Sequence, residues 1–294
     1  MTHTLYIGNR LYFSWSLAAW LMVDRFGLSR QVTTRVLYPG SEADVGAAMA
    51  DLAPARTLPT LVTADGAILS DSMAIAEELA TRHPDAGLWP GDPVARGTAR
   101  TLANEMHSGF RALRGCWPVN LRRCFQPVTP PDDVVAELDR LETIWHHARS
   151  VTRATGPWLC GDYSIADAIF APMAVRLANY GFDTRPATRA YVAAHLADPA
   201  LRRWRAMGLA AGKASAAFEH NGPTRPWPGP APLAAEAVSA GAPENAACPY
   251  SGDPVTHLLR MDGRTFGFCN AFCRDKTVAD PGAWPAFMAL VRPR

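Results

Sequence analysis

Leu58-Pro59-Thr60-Leu61-Val62 leads through Asp65-Gly66 into Ala67-Ile68-Leu69-Ser70-Asp71-Ser72, and the reading of this stretch decides the fold. Two short apolar runs flank an Asp-Gly turn, the pattern of a β-hairpin. Residues 72–82 follow at once with Ile75, Ala76 and Leu79 on one helical face, and Pro84 ends that helix. Upstream, Thr4-Leu5-Tyr6-Ile7 suits a strand and residues 14–26 a helix, with Gly27 as its stop. That helix is apolar on nearly all sides, so it must be covered on two faces. Residues 32–38 are β-branched and suit a second strand, and 44–53 form a short helix before Pro54. Residues 1–82 therefore read β-α-β-α-β-β-α.

Downstream, 83–95 carry Pro84, Pro90, Gly91 and Pro93 and read as a linker. Residues 96–213 are helical in period throughout. Leu102, Met106, Phe110 and Leu113 share one face, and Val134, Leu138, Leu141 and Trp145 another, after Pro130-Pro131. Ser164-Ile165-Ala166-Asp167 is a capping box that starts a helix running to Tyr180, stopped by Gly181 and bent at Pro172. Residues 214–247 hold Pro223, Pro226, Pro228, Pro230 and Pro232 among Ala and Gly and read as an extended tether. Residues 248–294 form a tail with three of the six cysteines.

The balance of 29 Lys+Arg against 27 Asp+Glu gives a net charge of +2, which offers no concentrated basic face for nucleic acid. Lys213 and Lys276 are the only lysines. The run from Trp15 to Val23 is too short for a membrane span and lacks the flanks of an export signal. The expected compartment is the cytoplasm, where clustered cysteines point to metal or redox chemistry before disulfides.

The order of elements in 1–82, followed by an all-helical domain, resembles the glutathione transferase family over residues 1 to about 213. Three local signatures carry the resemblance. Leu58-Pro59 stands where the family has a cis-proline, and the backbone of the residue before it pairs with the cysteinyl part of glutathione. Asp71-Ser72 stands at the start of the helix that receives the γ-glutamyl group, with Asp where the family usually has Glu. The capping box at Ser164 is the third and is structural.

The resemblance implies a hydroxyl that stabilises the glutathione thiolate, between the first strand and first helix. Ser14 is the expected donor, Tyr12 its rival, and Ser16 a capping or packing residue. Trp15-Ser16-Leu17, Met106-His107-Ser108-Gly109-Phe110 and Asn120-Leu121-Arg122-Arg123 are similar to a bacterial, serine-type, zeta-like group. His107, Ser108 and Arg111 are then pocket candidates without assigned roles. The resemblance further implies glutathione as co-substrate, a small electrophile or an isomerised compound as second substrate, and a homodimer, with no membrane partner.

Cys248-Pro249-Tyr250-Ser251-Gly252 and Cys269-Asn270-Ala271-Phe272-Cys273 give a C-x20-C-x3-C spacing. Residues 264–268 suit a strand delivering Cys269, and 248–252 a ligand-presenting turn. This looks like the small TRASH/YHS-like zinc-ribbon modules. Zinc held by Cys248, Cys269 and Cys273 is the expectation, with His257 as the fourth ligand. A 47-residue tail is short for a core of its own, so the metal would supply folding free energy. The chain is therefore expected to join an α/β thioredoxin-like glutathione-binding domain, an all-α second-substrate domain and a metal-ribbon-like module. The alternative is a transferase-like scaffold, without catalysis, carrying a metal-sensing or partner-binding tail.

Overall fold

The computed structural model describes residues 2–38, 43–218 and 222–292. In chain order the elements are β1 (His3–Ile7), α1 (Ser14–Asp24), β2 (Val32–Val36), α2 (Ala43–Ala48), β3 (Thr60–Val62), β4 (Ile68–Leu69), α3 (Ser72–Arg82), α4 (Pro93–Ser108), α5 (Arg111–Cys116), β5 (Cys124–Phe125), α6 (Asp132–Thr152), α7 (Ile165–Tyr180) and α8 (Pro186–Ala197). They continue with α9 (Pro199–Ala211), β6 (Thr224–Arg225), β7 (Glu236–Val238), β8 (His257–Met261), β9 (Arg264–Phe268), α10 (Ala271–Ala279) and α11 (Pro285–Val291).

The chain divides into two compact units. The first comprises Met1–Leu196 and Ala214–Pro228, the second Ala197–Lys213 and Gly229–Arg294. In the first unit a four-stranded sheet has the order β2-β1-β3-β4, with β1 parallel to β2 and antiparallel to β3. This is the thioredoxin-like arrangement that the β-α-β-α-β-β-α order implies. The all-round apolar α1 is buried from Ser16 to Val23 and packs against both α3 and α7. Helix α7 is buried at every position from Ile165 to Tyr180, and its capping box forms as expected, with Ser164 and Asp167 bonding reciprocally. The periodicity of 102–113 is split: α4 ends at Ser108, and Phe110 adopts φ 56° before α5 begins. A Cβ on Gly109 would lie 2.8 Å from the Glu105 carbonyl oxygen, so the break needs a glycine there.

The stretch 214–247, expected as a tether, instead divides between the two units. In the first unit β6 pairs with β5, and Arg225 donates to the carbonyls of Phe125 and Ala178. In the second unit β7 adds to the β8–β9 hairpin. Backbone pairing, which needs no apolar side chains, holds these proline-rich residues. The second unit also recruits α9, whose Arg202 pairs with Asp280 at 2.6 and 2.8 Å. Leu259, Phe266, Phe268, Trp284 and Phe287 are buried in this unit, so the tail has an apolar core and α9 packs on α10. Among the described residues no helix is long and apolar enough to cross a membrane.

Candidate functional site

In the first unit a cavity of about 930 Å³ opens beside the N-terminus of α1. Its near wall is the turn between β1 and α1. A Cβ on Gly8 would lie 2.3 Å from the Phe13 ring, so the bare glycine lets Phe13 fold back over the end of β1. Ser16 is fully buried and accepts a bond from the Gly8 N–H at 3.1 Å, the packing role expected of it. Ser14 lines the cavity, and so do Tyr12, whose ring stacks on Phe218 at 5.2 Å, and Leu58.

The Leu58-Pro59 bond is cis, and so is Ala53-Pro54. Thr57 ties this turn to the start of α3 through a 2.6 Å bond from its hydroxyl to the Ser70 carbonyl. Asp71 is the N-cap of α3 and accepts from Met73 N–H and Ala74 N–H through Oδ1 at 2.8 and 3.1 Å. Its other oxygen, Oδ2, lies 2.9 Å from His107 Nε2. Ser72 is buried, and neither it, Pro59 nor Asp71 lines the cavity directly; His107 does. Ser14 and Leu58 are therefore brought to one wall, and Asp71 reaches that wall through His107.

The charged side chains that line the cavity are cationic. Arg56, Arg111, Arg114 and Arg176 line the cavity, and no carboxylate is among its described lining residues. Arg114 donates to the carbonyls of His107 and Gly109 at 3.0 Å each, which closes the end of α4. Its guanidinium stands 4.7 Å over the Trp15 ring, which also meets His107 at 5.2 Å. Burial, with Arg111 nearby, lowers the Arg114 pKa from its ordinary value. Arg176 donates from Nε to the Trp117 carbonyl at 2.8 Å and from Nη2 to Ser14 Oγ at 3.2 Å. Burial, then the neighbouring Arg114, pushes it down to about 10, so it stays charged at neutral pH. Sequence reasoning passed over Arg176. The available signal was the one basic residue in a sixteen-residue helix that is otherwise almost wholly apolar. The Asn120–Arg123 stretch is held by the same helix: Asn179 accepts from Asn120 N–H at 3.0 Å and donates to its carbonyl at 2.6 Å.

In the second unit Cys248, Cys269 and Cys273 bring their sulfurs within 4.8 Å of one another. The strand β9 delivers Cys269 as the sequence suggested. Asn270 caps α10 by accepting from Cys273 N–H at 2.8 Å. Residues 248–252 form the expected tight turn, closed by a 2.9 Å bond from Gly252 N–H to the Cys248 carbonyl. The Cys269–Cys273 sulfur separation is 3.8 Å. That equals the edge of a tetrahedron with metal–sulfur bonds of about 2.3 Å, and the three thiols are the soft donors that a zinc site takes, three of its usual four. Burial alone would raise the Cys248 thiol, but the N–H groups of Cys269, Tyr250 and Ser251 outweigh it and bring it to about 7. Burial pushes Cys273 up to about 12, against the opposing charge of Lys276. His257 does not join this group. It opens β8 opposite Phe268, beside Cys269, but its Nδ1 lies 2.9 Å from Thr256 Oγ1 and its ring nitrogens are not among the atoms that gather with the three sulfurs.

Residues 13–82 match the family described as glutathione S-transferase, N-terminal domain. A probable maleylacetoacetate isomerase of Caenorhabditis elegans is 29% identical over 141 residues, 46% of this chain and 63% of the relative. The chain thus spans less than two thirds of that relative's length. Among solved structures, maleylacetoacetate isomerase from Anaeromyxobacter dehalogenans with bound glutathione superposes with a TM-score of 0.50 at 25% identity, over 69% of this chain and 94% of that one. A glutathione transferase homologue from Burkholderia with bound glutathione gives 0.53 at 24% identity, over 72% and 100%, a likeness of fold. Residues 13–82 are accordingly similar to a glutathione S-transferase N-terminal domain, and the fold of the first unit resembles that of the glutathione transferases.

Proposed function

We propose that this chain is a glutathione-dependent enzyme that activates the thiol of glutathione for attack on, or isomerisation of, a small anionic electrophile. The observation that carries this reading is the cavity lined by Ser14 and Leu58 together with four arginines, with no carboxylate among its described lining residues. Leu58 offers its backbone to the cysteinyl part of glutathione, and Asp71, Ser72 and the start of α3 receive the γ-glutamyl group. Ser14 donates a hydrogen bond to the sulfur; charge-assisted bonds of this kind contribute about 1.5–3 kcal/mol, enough for about one to two units of thiol pKa. The glutathione thiolate carries two net negative charges, and the four guanidiniums exceed this, so the surplus favours an acidic second substrate. The isomerases among the compared proteins support the isomerisation branch.

The second unit carries, in this reading, a zinc ion held by Cys248, Cys269 and Cys273, which would contribute folding free energy there. The family resemblance adds a cytoplasmic homodimer.

Calorimetric titration of the purified chain with glutathione tests the enzyme reading, followed by an assay of isomerisation of cis-unsaturated diacids. Saturable glutathione binding with turnover is expected, and absence of binding refutes it. Elemental analysis tests the second unit, where about one zinc per chain is expected and a metal-free, ordered tail refutes it.

A further inference from the structure

Arg176 approaches Ser14 across 162 positions of sequence, from a helix in which it is the one basic residue. A guanidinium has donors and no acceptor, so in the 3.2 Å contact the Ser14 oxygen must accept. That uses one of the two lone pairs of the hydroxyl and leaves its hydrogen to be donated elsewhere. Among the described residues no acceptor takes it, and Ser14 lines the cavity. The guanidinium itself is held still. Nε bonds the Trp117 carbonyl at 2.8 Å, the residue is 5% exposed, and the 117–123 segment it grips is anchored again by Asn179 and by the Tyr180 hydroxyl on the Pro118 carbonyl.

We propose that Arg176 is the positioning residue for Ser14: it occupies the acceptor side of the hydroxyl, so that the hydrogen is aimed at the glutathione sulfur. The inference rests on the glutathione reading above. The thiol proton leaves to water, the thiolate accepts from Ser14, and the nearby positive charge polarises that donor further. Arg176 acts through Ser14, so its loss weakens the thiolate without removing a binding contact to the peptide backbone of glutathione.

The test is ultraviolet thiolate absorbance of the saturated glutathione complex as a function of pH, in wild type, S14A, R176M, R176K and S14A/R176M. Wild type is expected to hold bound glutathione as thiolate at neutral pH. R176M is expected to raise the thiol pKa by about one unit, a tenfold loss of thiolate below it, with glutathione affinity changed less than about threefold. R176K, which keeps the charge and one donor, should recover part of the shift. The double variant should titrate like S14A alone, because the two residues act as one. An R176M titration equal to wild type, or shifts that add in the double variant, would overturn the proposal while leaving the glutathione reading intact. Should R176M not fold, R176K decides: a titration equal to wild type together with unchanged kcat removes the geometric requirement. A wild-type complex with an ordinary thiol pKa would sink both the reading and the inference.

Discussion

The arginine-lined cavity and the cysteine cluster are assembled in opposite ways. The cavity draws Ser14 from the start of α1, Leu58 from the turn before β3, His107 from the end of α4 and Arg176 from the middle of α7. The cluster takes Cys248 from one turn and Cys269 and Cys273 from the end of a hairpin and the helix after it. The cavity is a product of tertiary packing, and its chemistry depends on distances between elements. The cluster is a product of local geometry, and its chemistry depends on spacing. The two should therefore fail differently.

The largest effect should come from C273S or C248S. Each is expected to take zinc content from about one per chain to near none and to remove much of the folding free energy of the second unit, of the order of 10 kcal/mol for structural zinc sites. Glutathione affinity should not change, because the arginine-lined cavity lies wholly in the first unit. A parallel loss of glutathione binding would break the separation of the two sites.

Next in size is R202A. The Arg202 and Asp280 side chains are 20% and 10% exposed, and removing one partner leaves a buried carboxylate uncompensated, at a cost of about 3–5 kcal/mol. Hydrogen exchange should show this loss in amides of α10 and not in those of β1–β4. Uniform loss of protection would contradict a second unit with its own core.

S14A should lower turnover by about ten- to a hundredfold, the counterpart of about one to two units of thiol pKa, while the glutathione Kd moves less than about threefold. A large rise in Kd with turnover unchanged would assign Ser14 to binding.

The smallest effects separate capping from ligand binding at Asp71. Asn caps as well as Asp, so D71N should keep stability within about 0.5 kcal/mol, whereas D71A loses about 1 kcal/mol. If Asp71 also receives the γ-glutamyl amine, both variants weaken glutathione by the same factor. Full affinity in D71N would leave it as a helix cap paired with His107.

The legible parts of this molecule were those written in local pattern. The hairpin at Thr60–Leu69, the helix Ser72–Arg82, the capping box at Ser164 and the strand Arg264–Phe268 stand where turn residues and periodicity put them. The cysteine spacing named the three residues of the sulfur cluster. What escaped was long-range. Nothing near His257 in sequence says that its ring meets Thr256 and stays out of the sulfur group. Residues 224–225 and 236–238, within the proline-rich stretch 214–247, pair through backbone groups that composition does not reveal. The recruitment of α9 depends on Arg202 meeting Asp280, and the Ser14–Arg176 contact joins residues at opposite ends of the first unit's sequence. The one basic residue in a mostly apolar helix was visible at position 176, and buried guanidiniums of that kind need partners.

The central claim is that the cavity holds glutathione with its sulfur ionised. Its most direct test is the ultraviolet pH titration of the wild-type glutathione complex. The account predicts thiolate absorbance already present at neutral pH, with a transition about one to two units below that of free thiol. A transition at the position of the free thiol, or no complex at all, would contradict it.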